Sequence, residues 1–566
     1  MQKKRNKLLA FFADWRNQSR YLKWMLAQTK PYIGSLSLLI LLDVMVSLLS
    51  VSSSVVAKNL IDQATIQNNM AGKQIALFCI ITLGSIVLFG VTNYLTTLIH
   101  EKYAFTVRIR IFDKMLKSQW QQVSAYHSED LMTRLTNDVE SFARGTAVAL
   151  SDFFLLAVRL ISAFCVLYHY DHVLALTALA LGPLGALSSL LFGDKMKKYQ
   201  VQYKETESAY RALMQESLAS ITVVKTFQQE EKSYEKLLAM REKRLQVIKQ
   251  RNKWSALLNV SMQAVFNIGY LAAFSWGIYR LSTESITYGT MSVFLSLVSQ
   301  VQGPVMGLAK LFPEFINILT SVGRIMEVDA LAAEPMEKEM KSAEGVGLKM
   351  EAVCFAYQQE NVLENVSLDI SPGDVVGLVG FSGSGKTTLI RLILALVYPQ
   401  QGRLCFYNKW GEKEIANTKS RRLIAYVPQG NSLQSGTIRQ NMLLGKKDAT
   451  QSEIWEALEI ADAAGFIRKL PEGLDTTIQE KAGGLSEGQA QRIAIARAII
   501  RDDAPILILD EATSALDEKT EEEVLSRLSK SKKLKTCLII THRKTMLRYC
   551  TRAFEMKDTR VMEHGL

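Results

Sequence analysis

Residues 380–388 read GFSGSGKTT. They follow DVVGLVG, which suits a buried strand, and lead into TTLIRLILAL, which suits a helix. A glycine-rich turn in that context lets backbone N–H groups wrap a phosphate at a helix N-terminus. Gly380, Ser382, Gly383, Ser384 and Gly385 form the expected cradle, with Lys386 on the β/γ oxygens and Thr387 on Mg²⁺; Thr388 completes the cofactor-binding run. Downstream, PILILDE ends an apolar run on Asp510 and Glu511. A buried strand that delivers one carboxylate to Mg²⁺ and a second to an attacking water is the expected complement of such a cradle. Asp510 is then the metal ligand and Glu511 the catalytic base or water-orienting group. Between the two lies GLSEGQAQR (484–492), another Gly/Ser turn opening a helix, with an acid, Glu487, inside it. One chain with two phosphate-type turns poses the question of what the second one binds.

These residues need elements to hold them. A chain of 566 residues is too long for one core and divides into at least two domains. It is 48% hydrophobic, high for a fully soluble protein, yet 22% charged, too much for a purely membranous one. The two populations separate along the chain, apolar first. A net charge of +12 fits either nucleic acid or a membrane protein with basic cytoplasmic loops, and the position of the charges decides. Six cysteines are scattered without CxxC spacing or clustered histidine, so neither a metal site nor a disulfide framework is expected, and a reducing compartment fits.

Six stretches reach the length of about 20 apolar residues that a bilayer requires: 33–57, 74–99, 145–168, 172–193, 255–278 and 288–312. The segments before the first span, near 100–144 and near 194–254 are long and basic, whereas those near 58–73, 169–171 and 279–287 are short and carry few cations. The positive-inside rule puts both termini and both long loops in the cytoplasm, which accounts for much of the basic charge without nucleic acid. The start, MQKKRNKLLAFFADWR, reads as an interfacial anchor rather than a signal peptide. The long loops keep helical periodicity, so the spans are expected to continue into the cytoplasm and turn near 121–131 and 214–222. Within the spans, Asn259, Gln263 and Asn267 share one helix face, and Ser292 and Ser296 do likewise. They line a substrate pathway or bond neighbouring helices. Asp43, Asp152 and Arg159 are ionisable groups in apolar stretches, with a partner in the bundle or a substrate contact as the two readings. A charged, alanine-rich linker (326–345) leads to a second domain, 346–566.

With these motifs in hand, the chain resembles the ATP-binding cassette (ABC) exporters whose membrane domain precedes the nucleotide-binding domain on one chain. The resemblance runs over nearly the whole sequence. LSEGQ (485–489) is similar to the family's signature, and Tyr357 falls where the family stacks an aromatic ring on adenine. VPQG places Gln429 as the glutamine that reaches toward Mg²⁺, SALD (514–517) matches the D-loop with Asp517, and THR puts His542 at the switch histidine. Taken singly, Tyr357 and His542 read as ordinary structural residues; their order with the other motifs gives them roles.

The resemblance implies a multidomain membrane protein: a six-helix all-α transmembrane domain (33–325) with long cytoplasmic helical extensions, preceded by an anchor segment (1–32) and followed by an α/β P-loop ATPase domain. It also answers the question of the second turn. In this family Ser486, Gly488 and Gln489 would contact the γ-phosphate held by a second subunit, so ATP lies between two head-to-tail domains of a dimer. Glu487 departs from the common LSGGQ spelling, and its side chain is expected to point away from the phosphate. The implied activity is ATP-driven export or flipping by alternating access, in the plasma or inner membrane, with both termini and the ATPase domain cytoplasmic. A homodimer is the first expectation and a heterodimer the second. The alternatives are an ATP-binding membrane regulator or gated channel, disfavoured by the presence of Glu511 and His542, and a soluble ATPase acting on nucleic acid, disfavoured by the spans. Whether the cargo is a drug, lipid or peptide is left open.

Overall fold

The computed structural model describes residues 19–66, 72–335, 345–357, 360–381, 383–430, 432–479, 483–531 and 536–565, without the side chains of 181–191, 193, 194, 197, 309, 310, 312, 313, 544 and 545. Ser382, the start of the expected anchor and residues 336–344 of the expected linker lie outside the described residues. The chain forms two compact units, residues 1–114 with 127–330 and residues 115–126 with 331–566.

The first unit is helical. Its long helices are α1 (Ile33–Ile66), α2 (Gly72–Leu116), α3 (Leu150–Tyr170), α4 (His172–Ala219), α5 (Glu230–Ser282) and α6 (Tyr288–Asp329). Five helices among the described residues are long and apolar enough to cross a membrane; the fourth expected span lies in α4, where most of the relevant side chains are not described. Two of the sharp turns between the long helices carry side-chain caps. Asp171 accepts a hydrogen bond from the Leu174 N–H at the start of α4, and its other oxygen accepts from Trp276 Nε1 at 3.0 Å. Thr287 caps α6 in the same way. The second expected cytoplasmic turn falls at Ser220, between α4 and the short helix Ile221–Thr226.

α4 and α5 run along each other well beyond bilayer length. There Arg244 and Arg251 stack on Tyr203, with Arg251 4.3 Å from the ring centre, so cation–π contacts take the place of apolar core. Between α2 and α3 the backbone widens into π-helical turns at Arg134–Asp138 and Gly145–Ala149. At the second of these Gly145 lies against Ile318, leaving no room for a Cβ. At the first, Arg134 bonds Asp130 at 2.8 Å and Glu327 at 2.7 Å, while Arg324 bonds Asp130 at 2.6 Å and approaches Asp138 at 3.3 Å. Apolar spans cannot fix each other by hydrophobicity within lipid. Instead a polar seam joins α1 to α6: Ser54 lies 2.8 Å from Ser296, and Gln300 Nε2 donates to both hydroxyls.

The second unit is α/β. Strands β1 (Val346–Tyr357), β2 (Glu360–Ile370), β4 (Gln401–Asn408) and β5 (Lys413–Ile415) form an antiparallel sheet in the order β2-β1-β4-β5. A second sheet has the order β12-β11-β3-β10-β9-β6, built from β3 (Val375–Gly380), β6 (Ile424–Val427), β9 (Ile506–Asp510), β10 (Thr536–Ile540), β11 (Arg552–Lys557) and β12 (Arg560–His564). All its pairings are parallel except β11–β12, and a separate two-stranded ladder pairs β7 (Gly436–Thr437) with β8 (Thr477–Ile478). Strands β9 and β10 are buried along their whole length, as their continuous apolar runs require. The chain segment 115–126, continuous with α2, packs into this unit. Its Ser118 pairs with Ala333 in an antiparallel bridge, Gln119 N–H donates to the Ala332 carbonyl at 2.9 Å, and Trp120 packs on the core between the sheets. Arg421 clamps the same strap through both oxygens of Glu334, at 2.9 and 2.8 Å.

Candidate nucleotide-hydrolysis site

Four adjacent parallel strands, β3, β10, β9 and β6, end at one edge of the sheet, and each hands the chain to a residue singled out from sequence. In open α/β sheets this carboxyl edge is where ligands bind. Strand β3 ends at Gly380. The turn beyond it holds Gly383 at φ 83° and Gly385 at φ 105°, both left-handed conformations that glycine adopts without steric cost. A Cβ at Gly380 would meet the Met556 carbonyl at 2.7 Å, so this glycine is also needed for closeness. The helix α7 (Lys386–Ile393) starts directly from the turn. Lys386 Nζ donates to the carbonyls of Gly380 (2.7 Å) and Phe381 (2.9 Å), and burial pulls its pKa below the usual lysine range. Ser384 Oγ is buried and has no hydrogen-bond partner among the described residues. A lone buried hydroxyl above left-handed glycines fits an acceptor-rich guest such as a phosphate. Thr387, in the first turn of α7, is exposed, and Thr388 is buried.

Strand β9 delivers Asp510, whose carboxyl is pushed up by burial and accepts from the Tyr426 hydroxyl at 3.1 Å. Glu511 follows with φ 49°, an uncommon conformation for a residue with a side chain, held by its N–H on the Ile540 carbonyl at 3.0 Å. Two other motif residues meet this carboxylate. Gln429 Nε2, beyond β6, donates to Oε2 at 2.6 Å, and His542 Nε2, beyond β10, lies 2.5 Å from Oε1. Residues 82 positions apart (Gln429 to Glu511) thus share one carboxylate.

Ser486 caps the helix α8 (Glu487–Ile499): its Oγ accepts from Gln489 N–H, and Gln489 Oε1 accepts from Ser486 N–H at 3.0 Å. Glu487 is exposed in the first turn, where an acid complements the helix dipole. Gly488 faces inward, and a Cβ there would stand 3.0 Å from the Ala515 carbonyl. The D-loop that it touches is bracketed by two residues the motif reading did not single out. Gln491, buried in α8, donates to Ser514 Oγ at 3.3 Å and accepts from Ala515 N–H at 3.1 Å. Arg543 donates to the carbonyls of Leu516 and Ser514 and to Glu521 at 2.8 Å. Asp517 caps the next helix through Thr520, a bond that lowers its pKa. Their signal in the sequence is slight, because an interior glutamine or a second cation after a histidine has no characteristic spacing.

Tyr357 lies at the end of β1, edge-on to Phe355 at 4.9 Å. Its hydroxyl accepts from Arg391 at 3.0 Å, and that guanidinium stacks 4.8 Å from the Trp120 ring. The strap from α2 therefore touches a side chain that holds the aromatic residue.

In the membrane unit the expected pathway residues divide. Ser296 is committed to the seam with Ser54 and Gln300. Asn259, Gln263 and Asn267 form an exposed polar strip on α5, with Gln263 donating to Asn267 at 3.2 Å. Ser292 is half-buried on α6. An apolar cavity of about 540 Å³ lies among Leu22, Leu26, Phe153, Leu308, Leu311 and Phe315.

Comparison with known proteins accords with this geometry. Residues 36–305 match the ABC transporter transmembrane region, and residues 363–514 match the ABC transporter family. An ATP-dependent lipid A-core flippase of Syntrophus aciditrophicus is 31% identical over 474 residues, 83% of this chain and 78% of the relative. A putative multidrug export ATP-binding/permease protein of Staphylococcus aureus is 28% identical over 501 residues, 87% of this chain and 85% of that one. Among solved structures, a bacterial Atm1-family ABC exporter with ATP bound shares the fold, with a TM-score of 0.79 at 20% identity over 94% of this chain and 95% of that one. The chain belongs to the ABC transporters, as an exporter-type half-transporter in which ATP hydrolysis drives export or flipping of a substrate by alternating access.

Proposed function

We propose that two copies of this chain assemble with their nucleotide-binding units head to tail, and that the pair exports an amphipathic cargo. The observation that carries this reading is the convergence of Gln429 and His542 on Glu511, beside a second phosphate-type turn, at Ser486 and Gly488, on the same chain. Glu511 has one oxygen held by an amide and the other by an imidazole, an arrangement that fixes a carboxylate for orienting water and accepting its proton. Lys386 and the 380–388 turn bind the β- and γ-phosphates. Asp510, Thr387 and Gln429 offer the hard oxygen donors that suit Mg²⁺, which would neutralise charge on those phosphates. Ser486 and the N–H groups near Gly488 take the γ-phosphate held by the partner copy, so ATP favours the closed pair through its extra contacts in that state. Glu487, exposed at the helix start, leaves this contact open. The relatives' names, a lipid A-core flippase and a multidrug exporter, support an amphipathic cargo. The loop charges support a plasma or inner membrane with the nucleotide-binding units in the cytoplasm.

The test is ATP turnover by this chain alone in lipid nanodiscs. Turnover that Glu511→Gln abolishes supports a self-sufficient homodimer. A folded sample that binds ATP and never turns it over requires a different partner chain, and a Glu511→Gln variant as fast as wild type refutes the role given to Glu511.

A further inference from the structure

Arg159 lies midway along α3, within an apolar stretch. Its Nε is buried without a partner, and among the described residues no carboxylate pairs with the guanidinium. It borders a cavity of about 250 Å³ between α1, α2 and α3, walled by Ser47, Ser50, Ser85, Phe89 and Leu155. The three hydroxyls already donate elsewhere: Ser47 to the Leu155 carbonyl at 2.9 Å, Ser50 to Gln300, and Ser85 to the Thr82 carbonyl at 2.8 Å. Arg159 therefore brings the unspent N–H donors to this space.

The chain does not supply its own counter-charge here. The six spans contain two carboxylates, Asp43 and Asp152. Asp43 accepts a hydrogen bond from Ser151, so both acids lie at the level of residues 151–152. Seven residues of helix separate that level from Arg159, about 10 Å along the axis. A second copy in the same bilayer, related by an axis along the membrane normal, would carry its carboxylates at the same offset level. Snorkelling does not resolve the charge either, because Arg159 stands about 16 Å of helix short of Tyr170. Cations kept within a span mark ligand or ion sites.

We propose that the Arg159 cavity binds the anionic group of an amphiphile, a phosphate or carboxylate whose apolar body lies among Phe89, Leu155 and the neighbouring spans. The proposal deepens the exporter reading and rests on it only for placing α3 in the bilayer. The guanidinium fork suits a two-oxygen anion, whereas a neutral amphiphile of the same length leaves it unpaired.

The test is native mass spectrometry of the full chain from a neutral maltoside detergent. Dodecyl phosphate is titrated against dodecanol, with phosphatidylglycerol against phosphatidylcholine as a second arm, and ATP turnover is measured separately. Wild type should retain the anionic member of a pair. Arg159→Gln should raise its apparent Kd at least roughly tenfold, and Arg159→Lys should fall between the two. Arg159→Gln should also melt at or above the wild-type temperature, since it removes a charge that no described side chain neutralises. Retention of phosphatidylglycerol assigns the site to a membrane lipid, and retention of dodecyl phosphate alone assigns it to a smaller amphiphile; each supports the site. Equal retention of anionic and neutral probes, or no effect of Arg159→Gln in either arm, overturns it. Normal turnover with no Arg159-dependent binding refutes the site alone, whereas Arg159-dependent binding without turnover supports the site and counts only against the self-sufficient homodimer.

Discussion

The two units spend their polar residues differently. In the soluble unit, side chains from four strand ends converge on a few shared groups: Gln429 and His542 on the two oxygens of Glu511, Tyr426 on Asp510, Lys386 on the Gly380 and Phe381 carbonyls. In the membrane unit, many hydroxyls bond their own helix backbone, and the polar residues that link helices do so by bonding one another, as in the Ser54–Ser296–Gln300 seam and the Asp130–Arg134–Glu327 cluster. Moving a phosphoryl group requires fixed residue types at fixed distances. Holding an apolar bundle together requires only that each polar group find some partner. Substitutions should therefore separate activity from stability according to the unit they fall in.

The sharpest separation is expected at Glu511→Gln. Losing the carboxylate should cut turnover by about 10²–10⁴-fold in a phosphate-release assay while leaving the melting temperature near wild type. A parallel loss of stability would erase the contrast. Arg134→Met should do the reverse. It removes a cation that is 8% exposed and bonds two carboxylates. Because both acids keep access to water, the expected loss is about 2 kcal/mol, read as a lower midpoint in thermal unfolding of the detergent-solubilised protein. Next in size is Gln300→Leu, which leaves the Ser54 and Ser296 hydroxyls with each other and should cost about 0.6–2 kcal/mol with basal turnover within twofold. A larger fall in turnover would place the seam in the transport cycle rather than in the scaffold.

Gly488→Ala is the finest probe, because it sets the two tendencies against each other at one position. Alanine gains helix propensity of up to about 1 kcal/mol, yet its Cβ must push the Ala515 carbonyl by a few tenths of an ångström. The melting temperature should hold or rise, while a D-loop displaced by that contact lowers turnover roughly fivefold, a barrier change of about 1 kcal/mol. Falling stability with unchanged turnover would mean that the D-loop yields without consequence.

The same contrast explains what was legible in the sequence. The residues proposed for the nucleotide site stand out in the sequence one by one, because phosphate chemistry constrains both residue type and order: a glycine where φ is positive, a lysine at the helix start, an acid at the end of a buried strand. The spans were legible as lengths of apolar sequence. The supporting groups were not. Gln491 and Arg543 brace the D-loop, and Arg391 bridges Trp120 and Tyr357. Each does so through contacts that many sequences could make, so no spacing announces them. The π-helical turns around 134–149 escaped notice for a similar reason: helix and π-bulge share one hydrophobic period to within a residue. Nor does periodicity tell which face of α5 is left open, since that depends on what α4 and α6 cover.

The strap formed by residues 115–126 and 331–335 bears on how this protein can be cut. The nucleotide-binding body is not one continuous stretch of gene. A fragment that begins at β1 would lack Ser118, Gln119 and Trp120, the bridge to Ala333 and the carboxylate that clamps Arg421. Its surface would carry an unstacked Arg391 guanidinium next to the ring of Tyr357. Dissecting the chain into separately expressed halves therefore alters the part meant to be isolated, and a faithful fragment must graft the 115–126 peptide back on through a linker.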